Sequence, residues 1–344
     1  MNKKLYLVLS LFFLSVLGAK AQGSLDIHFN GFSFFDNREY KAFTERSRTY
    51  SGTRAELDLG VNLDSTNHFI FGANGIHEYG AQPFFLKVDP VAYYSHETHK
   101  WLFDAGMFPR DGLVTQIPRA MFNDTLLYYR PNIEGLLTRY QTKYGYQTLF
   151  IDWVSRQTAV DREQFIFGML GKYLPNPTGP FYIMNYFTML HDAGPAVSIP
   201  GDHIRDNGAA QIRGGLNFKQ TTFDSLSVEA GGMISLERTR VNDGGGFKIP
   251  KGFVASVYAG LHRFAFFDEF YAGQGHHITY GDAFYEKKMY NRLDIIYSPF
   301  LFKGITGQFI VSLMQSPGQW GDSQQAFRLK YDIGRKKLVK FKTE

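Results

Sequence analysis

Hydrophobic and polar residues alternate along much of this chain. In residues 54–64 every odd position is apolar, and every even position is polar, charged or glycine. The alternation returns in residues 26–30, 211–219 and 327–333. A period of two residues predicts β-strands with one apolar and one polar face. Segment 54–64 also exceeds the roughly five or six residues usual in soluble domains, and it reaches the about 9–11 residues that a tilted strand needs to cross a bilayer.

The pattern predicts about sixteen strands, within a range of about fourteen to eighteen. The fold class is then all-β, and the architecture is a closed antiparallel transmembrane β-barrel. The predicted strands are residues 25–35, 53–64, 67–78, 84–96, 99–109, 135–144, 147–156, 163–173, 181–191, 209–220, 225–240, 249–264, 268–281, 287–298, 303–315 and 324–333.

The predicted connections alternate between a longer and a shorter set. The longer set is 36–52, 79–83, 110–134, 157–162, 192–208, 241–248, 282–286 and 316–323. The shorter set is 65–66, 97–98, 145–146, 174–180, 221–224, 265–267 and 299–302. This alternation is typical of outer-membrane barrels, whose two ends face different compartments. Both termini fall on the short-turn side, which is periplasmic in such barrels.

The two faces of the predicted strands differ in chemistry. The outward register carries apolar side chains such as Leu57, Leu59 and Leu216. The opposite register carries many charged side chains, which would each cost several kcal/mol if they were buried without partners in a soluble core. Against a water-filled lumen they cost little. The candidate pore-lining residues are Arg54, Glu56, Asp58, Arg139, Asp152, Arg156, Arg213, Glu229, Arg292, Asp294 and Arg328.

Composition and charge narrow the class further. Of the 344 residues, 17% are aromatic and none is cysteine, so neither a disulfide framework nor a thiolate site is available. Aromatic residues gather near predicted strand ends, where they suit interfacial girdles, although ordinary packing in a soluble sandwich is the alternative. The formal charge of +5 arises at the two ends of the chain, so the body is no nucleic-acid-binding surface.

The first segment has the features of a secretory signal peptide. Lys3 and Lys4 precede the apolar run 5–17, and Ala19-Lys20-Ala21 supplies small residues at a cleavage site. The run is too short for an uncleaved membrane helix. We therefore predict a signal peptide at 1–21, a transmembrane β-barrel at 22–333 and a basic periplasmic tail at 334–344.

Taken together, these features resemble outer-membrane β-barrel porins, in particular the porins of Bacteroidota-type Gram-negative bacteria. The resemblance covers residues 25–333 and rests on architecture, with weak support from Ala105-Gly106-Met107-Phe108-Pro109 before a long third loop. The chain departs from this class because no aromatic residue ends it. The final strand could instead include residues 338–341, which would change the strand count by one hairpin.

In general porins the third long loop folds inward and narrows the channel, and by resemblance loop 110–134 takes that place. Its charged residues Arg119, Asp124, Arg130 and Glu134 are the candidates for the constriction. Opposite charges at a constriction create a transverse field that orients dipolar solutes. The alternative is an external cap or an adhesion loop.

Signals for chemistry are weak. His276 and His277 are adjacent, so on a strand they point to opposite faces and cannot chelate one ion. Ser256 and His262 share a register but lie about 20 Å apart along a strand, which leaves them and Asp268 unable to form a triad. We expect no catalytic residues, no metal and no cofactor.

The resulting interpretation is an outer-membrane channel for passive diffusion of small hydrophilic solutes. The alternative is a non-conducting barrel with a structural, adhesive or export-machinery role. Expected partners are outer-membrane lipid, small hydrophilic solutes and the barrel-assembly machinery, but no nucleic acid. The inward charges are nearly balanced in sign, which predicts at most a weak anion preference. The sequence indicates neither the solute nor the oligomeric state.

Overall fold

The structure, a computed structural model, describes residues 23–40, 47–218, 222–240 and 245–341. The predicted signal peptide at 1–21 lies outside these residues. The strands are β1 (Ser24–Glu39), β2 (Arg48–Asn62), β3 (Asn67–Glu78), β4 (Lys87–Glu97), β5 (Trp101–Pro109), β6 (Asn132–Thr142), β7 (Gly145–Ser155), β8 (Gln164–Tyr173), β9 (Phe181–Asp192), β10 (Arg205–Phe218), β11 (Ser225–Thr239), β12 (Lys251–Leu261), β13 (Phe264–Gly273), β14 (Met289–Phe302), β15 (Ile305–Ser316), β16 (Gln319–Asp332) and β17 (Lys336–Lys340). Two short helices accompany them, α1 (Thr125–Tyr129) and a 3₁₀ helix at Ala283–Glu286.

The sheet closes on itself between its first and last long strands. Each strand from β1 to β16 pairs with the next one in antiparallel fashion, and β1 also pairs with β16 from Asn30↔Asp332 to Glu39↔Ser323. Closure leaves every long strand with two neighbours, which satisfies the backbone hydrogen bonds that a lipid environment cannot. The predicted all-β closed barrel of sixteen strands is confirmed.

The additional strand β17 extends the closing seam and adds no hairpin. It pairs with the start of β1, where Ser24 lies opposite Lys340 and Ile27 lies opposite Lys336. β16 pairs with β1 from Asn30 onward, and β17 pairs with the residues of β1 before Asn30, so the two strands lie end to end along the same edge of β1. Residues 336–340 of the predicted tail are therefore strand-paired in the structure.

Side-chain exposure follows the predicted alternation. On β2, Leu57 and Leu59 are 52% and 42% exposed, whereas Glu56 and Asp58 are buried. Outward aromatic residues pair across strands, as in Trp101 and Tyr140, whose ring centroids are 4.5 Å apart. The apolar register therefore faces outward from the barrel, and the charged register faces its interior.

Several predicted connections differ from the structure. Residues 145–146, 265–267 and 299–302 were expected to be short turns, but they lie inside β7, β13 and β14. Two of the longer connections also differ. Residues 316–323 were expected to form a longer connection, but β15 and β16 meet in a tight turn at 317–318, where Gly318 adopts a φ of 75°. Conversely, residues 282–286 lie inside a much longer loop, 274–288, because β13 ends at Gly273. This loop lacks the alternation of a strand, since Ile278, Phe284 and Tyr285 are all buried.

The apolar core of this barrel lies in its interior. It joins buried residues of the 110–131 and 274–288 loops, such as Met121 and Phe284, to inward side chains of several strands, such as Ile133 and Tyr271. The lumen is therefore partly filled by these two loops. In the described residues, no helix is long and apolar enough to cross a membrane.

Candidate functional site: the lumen and its two inward loops

The loop between β5 and β6, residues 110–131, folds into the barrel and is called the first inward loop. Its base is fixed by Arg110, which is almost fully buried. Arg110 Nη2 lies 2.5 Å from Asp152 Oδ2 on β7, and its Nε and Nη2 donate to the carbonyls of Arg130 and Asn132. One guanidinium thus ties both ends of the loop to the barrel wall.

The centre of the first inward loop is tied to β16 by a shared carboxylate. Asp124 Oδ2 lies 2.9 Å from Arg119 Nε within the loop and 2.6 Å from Arg328 Nη2 on β16. Burial opposes ionisation of Asp124, but the charges of Arg119 and Arg328 overcome it and hold the pKa of this carboxyl at about 2. Asp124 is therefore a carboxylate at neutral pH.

Helix α1 fixes the same loop to β1. The Tyr128 hydroxyl donates to Asp36 Oδ2 over 3.1 Å, and the Tyr128 ring stacks on Phe34 with centroids 4.3 Å apart. Asp36 also accepts from Gln324 Nε2 of β16 at 2.6 Å. Because β1 and β16 form the closing seam, the loop is held against the part of the wall where the barrel closes.

The second inward loop, residues 274–288, locks onto the first. Arg38 Nη1 of β1 lies 3.0 Å from Asp282 Oδ2, and Arg38 Nη2 donates to Asn123 of the first inward loop over 3.1 Å. The backbone amides of Asn123 and Asp282 donate to the carbonyls of Tyr280 and Arg119, respectively. Burial raises the pKa of Asp282, although the charge of Arg38 counteracts this.

Cavities remain on both sides of the two loops. A cavity of about 410 Å³ lies between the first inward loop and the wall formed by β1, β15 and β16. Another of about 590 Å³ occupies the short-turn end, lined by β1 to β4, Arg335 and Lys337. A third, of about 710 Å³, opens at the long-loop end between β9, β10, β11 and the second inward loop. Free space therefore remains in the barrel on either side of the two loops.

Most predicted pore-lining residues face the interior, where they form ion pairs across strands. Arg213 Nη2 lies 2.9 Å from Glu269 Oε2, and its Nη1 lies 3.6 Å from Glu229 Oε2. Arg292 pairs with Asp294 over 2.6 Å on the same strand. Because Arg213 and Arg292 each have an acidic partner at close range, these buried charges are stabilised.

At the short-turn end, Asp58 lies in a polar cluster. His28 Nδ1 is 3.0 Å from Asp58 Oδ2, while Arg335 Nη1 is 2.8 Å from Asp58 Oδ1. His28, Glu56 and Asp58 each place one ligand-type atom within 4.8 Å of the others. Two of these three groups already bind each other, and Arg335 neutralises the carboxylate, so we assign no metal here. Arg54 and Glu56 are buried on the same strand.

One constriction candidate, Glu134, and one pore-lining candidate, Arg156, do not face the lumen, whereas the pore-lining candidate Arg139 does. Glu134 was expected in the third loop, but β6 begins at Asn132, and Glu134 shares the exposed outward register of Leu136. Arg156 was expected to line the pore, but β7 ends at Ser155 and leaves Arg156 exposed in a long-end loop. Arg139 faces inward and donates to Thr148 Oγ1 and the carbonyl of Leu113.

Arg130 stays close to the base of the first inward loop. Its Nη1 donates to the carbonyl of Val154, and its Nη2 lies 3.7 Å from Asp152 Oδ1. Of the four constriction candidates, the structure thus brings only Arg119 and Asp124 together.

Sequence reasoning missed the second inward loop and the Asp36–Arg38–Asp282 cluster. Asp36 and Arg38 fell in a predicted loop because alternation was followed only as far as residue 35. The polar residues at positions 36 and 38 continue the alternation, so they could have extended the predicted strand to include both. For the second inward loop, the signal was the glycine- and histidine-rich stretch 273–277, where strand alternation stops.

The residues weighed for a catalytic triad do not converge. Ser256 is buried in the interior, whereas His262 lies in the turn between β12 and β13 with a φ of 54°. Asp268 is on the outward register of β13 and accepts from Asn291.

A separate histidine–carboxylate pair lies on the outside of the barrel near the long-loop end. His191 Nδ1 is 3.0 Å from Asp206 Oδ1, and Asp206 also accepts from Arg238 and Arg240. The imidazole packs beside Phe165, with ring centroids 5.1 Å apart. This pair was not singled out from the sequence, because its members lie on different strands.

The closed barrel, its apolar outer face and its inward loops define an outer-membrane porin-like β-barrel. Comparison of structures agrees on the fold. Pseudomonas aeruginosa OpdL matches with a TM-score of 0.53 and 12% identity, covering 92% of this chain and 99% of that one. The outer membrane protein OpdK from the same organism matches with a TM-score of 0.51 and 8% identity, covering 91% and 99%. A Rhodopseudomonas blastica porin variant matches with a TM-score of 0.51 and 11% identity, covering 90% of this chain and 100% of that one.

Sequence comparison gives the family. Residues 17–314 match the model of the Lipid A 3'-O-deacylase-type family, and the chain belongs to that family. No curated protein matches the sequence. The family is described by an enzyme activity, so the expectation that this chain is no enzyme stays a prediction.

Proposed function

We propose that this protein is an outer-membrane channel through which small hydrophilic solutes diffuse passively, past a constriction made by the two inward loops. The observation that carries the proposal is the Arg119–Asp124–Arg328 cluster, which joins the first inward loop to the wall between cavities at opposite ends of the lumen. A solute that crosses must pass these charged groups.

The arrangement implies a narrow passage that selects solutes by size and not by the sign of their charge. Around the constriction, Arg38, Arg119 and Arg328 lie opposite Asp36, Asp124 and Asp282, so positive and negative groups are balanced. Balanced opposite charges produce a transverse field and little net ion selectivity. Since the loops and wall side chains also fill much of the interior, we expect a small size limit.

Export and insertion complete the proposal. The mature chain begins at Gln22 after signal-peptide removal, and the barrel-assembly machinery inserts it with the short turns toward the periplasm.

Liposome swelling with sugars of increasing size tests the channel. Vesicles that contain the refolded mature protein are diluted into isosmotic arabinose, glucose or raffinose, and protein-free vesicles serve as the control. We expect swelling with arabinose that declines with sugar size. Absence of swelling with every sugar would favour the non-conducting structural or adhesive alternative.

A second candidate is hydrolysis of a lipid A acyl ester, which the family assignment favours. The His191–Asp206 pair lies on the outward face near the long-loop end, where an outer-leaflet lipid would lie. A histidine oriented by a carboxylate is the kind of group that acts as a general base.

Mass spectrometry of purified lipid A after incubation with the refolded protein tests this candidate. Loss of one acyl chain in the wild type, but not in a His191→Ala variant, would support hydrolysis. Unchanged lipid A would reject it.

A further inference from the structure

An open cleft lies at the short-turn end of the barrel, between the turn that joins β4 to β5 and the turn that joins β6 to β7. We call it the turn cleft. Its volume is about 780 Å³. The residues that line it include His99, Lys100, Tyr140, Lys143 and Tyr144. Cationic and aromatic side chains thus meet at one place on the rim of the barrel.

The positive charge of the turn cleft is not neutralised by nearby acidic groups. Lys100 and Lys143 are both exposed. In the described part of the chain neither lysine forms an ion pair, and no acidic side chain lines the cleft. Glu97, the last residue of β4, faces the interior and lines the cavity at the short-turn end instead. The cleft therefore attracts a negatively charged ligand.

Hydrogen bonds fix the two turns relative to each other. The backbone amide of Gln141 donates to the carbonyl of Lys100 over 2.8 Å, and Gln141 Nε2 donates to the carbonyl of His99 over 3.4 Å. Within the first turn, Thr98 Oγ1 accepts from the backbone amide of Trp101 over 2.9 Å. Because the turns are held in place before a ligand arrives, binding has less backbone motion to restrict.

The turn cleft continues into the apolar outer face of the barrel. Trp101 and Tyr140 pair across β5 and β6 and are 49% and 40% exposed. In the next outward row toward the membrane centre, Thr138 lies between its register partners Phe103 on β5 and Leu149 on β7. Threonine is smaller than either neighbour, so this row leaves room for an acyl chain. One ligand can therefore place an anionic group against the lysines and an apolar chain against the wall.

We propose that the turn cleft binds one anionic phospholipid of the surrounding bilayer, with its headgroup phosphate against Lys100 and Lys143 and an acyl chain on the outer face. Aromatic rings at a membrane–water interface lie at the level of the headgroups, and basic residues beside a membrane span attract anionic lipids. A soluble anion would match the lysines alone, and a zwitterionic lipid would bring a positive group beside them. The inference goes beyond the proposed channel and does not depend on conduction through the lumen.

Quenching of Trp101 fluorescence by brominated lipids tests the proposal at the site itself. The chain has three tryptophans, so Trp153→Phe combined with Trp320→Phe leaves Trp101 as the only one. The mature variant is refolded into phosphatidylcholine bilayers that contain a small fraction of brominated phosphatidylglycerol or of brominated phosphatidylcholine. Because each lysine near an anionic headgroup contributes roughly fivefold, we expect brominated phosphatidylglycerol to associate with Trp101 at least about fivefold more strongly. Equal quenching by the two lipids would overturn the proposal.

Substitution of the two lysines tests which groups bind the headgroup. In the same background, Lys100→Gln combined with Lys143→Gln should bring the ratio of the two association constants close to one. Both side chains are exposed, so the barrel should fold, and gel migration before and after heating checks this. Lys303→Gln is the matched control and should keep the preference, because Lys303 is exposed in another short turn, between β14 and β15. A preference that survives the loss of Lys100 and Lys143 would refute their assignment to the headgroup.

Further outcomes separate the lipid from other occupants and from the channel. At about 1 M salt the preference should weaken, because the screening length falls to about 3 Å. Weak quenching by both lipids would show that another protein, such as a second copy of the chain, covers Trp101, and the lipid site would be rejected. A protein that conducts without a preference for phosphatidylglycerol would reject the lipid site and leave the channel intact. A protein with the preference but no conductance would reject the channel and retain the lipid site.

Discussion

Replacing Asp124 by Asn should release the first inward loop from the barrel wall. Asp124 is 8% exposed and binds two cations, Arg119 at 2.9 Å and Arg328 at 2.6 Å. Asparagine has nearly the same shape but no charge, so the substitution leaves both guanidinium groups without their counter-ion. Removing one partner of a buried ion pair typically costs about 3–5 kcal/mol.

This cost is expected to affect the loop more than the barrel. The strand pairing of β1 to β16 does not involve Asp124, whereas the loop depends on Asp124, Tyr128 and Arg110 for its wall contacts. A loss of about 4 kcal/mol would shift the equilibrium between the inserted and the displaced loop by roughly 1,000-fold. The remaining contacts of Arg110 would still hold the base of the loop.

Limited trypsin digestion and conductance report the two consequences. A displaced loop exposes the Arg119–Ala120 bond, so Asp124→Asn should be cut there faster than the wild type. Its single-channel conductance should also be larger. Asp161→Asn, which changes an exposed carboxylate in another long-end loop, is the matched control. Wild-type digestion and wild-type conductance in Asp124→Asn would refute the role of this carboxylate.

Two other predictions follow from the structure, and a third follows from the sequence. The pKa of Asp124 is about 2 in the folded protein and ordinarily 3.8, so the ionised carboxylate contributes about 2–3 kcal/mol to the stability of the inserted loop above about pH 4, and this contribution is lost toward pH 2. Because trypsin is inactive in this window, pepsin is the protease to use, and it should cut the loop increasingly as the pH falls. Protection that does not change with pH would contradict this prediction. Leu59→Arg or Leu216→Arg should cost about 2–4 kcal/mol in urea unfolding from lipid vesicles, whereas Asn217→Arg on the inward register should be tolerated; equal costs would show that the alternation does not separate lipid from lumen. N-terminal sequencing of outer-membrane protein should begin at Gln22, and finding Met1 would exclude cleavage.

The strands were predictable because each one repeats a simple rule. In β2 the alternation from Arg54 to Asn62 predicts which side chains face lipid and which face the lumen, and the structure places them accordingly. The predicted strand ends were less accurate than the predicted strand positions. Polar residues continue the alternation beyond the membrane, as at Asp36 and Arg38, and there the apolar half of the pattern weakens.

The interior arrangement could not be predicted in the same way. Asp124 and Arg328 are 204 positions apart, and Arg38 and Asp282 are 244 apart. Only barrel closure and the folding of two loops bring them together. A single sequence shows that such residues are charged, but it does not show which loop enters the lumen or which partner lies opposite.

Single-channel recording from the refolded mature protein in planar bilayers tests the central claim most directly. The wild type should show discrete conductance steps with a reversal potential near zero in a salt gradient, because the constriction balances its charges. A variant in which a short glycine–serine linker replaces residues 111–129 should show larger steps. If neither protein conducts although both migrate as folded barrels, the interior is closed and the protein is not a channel.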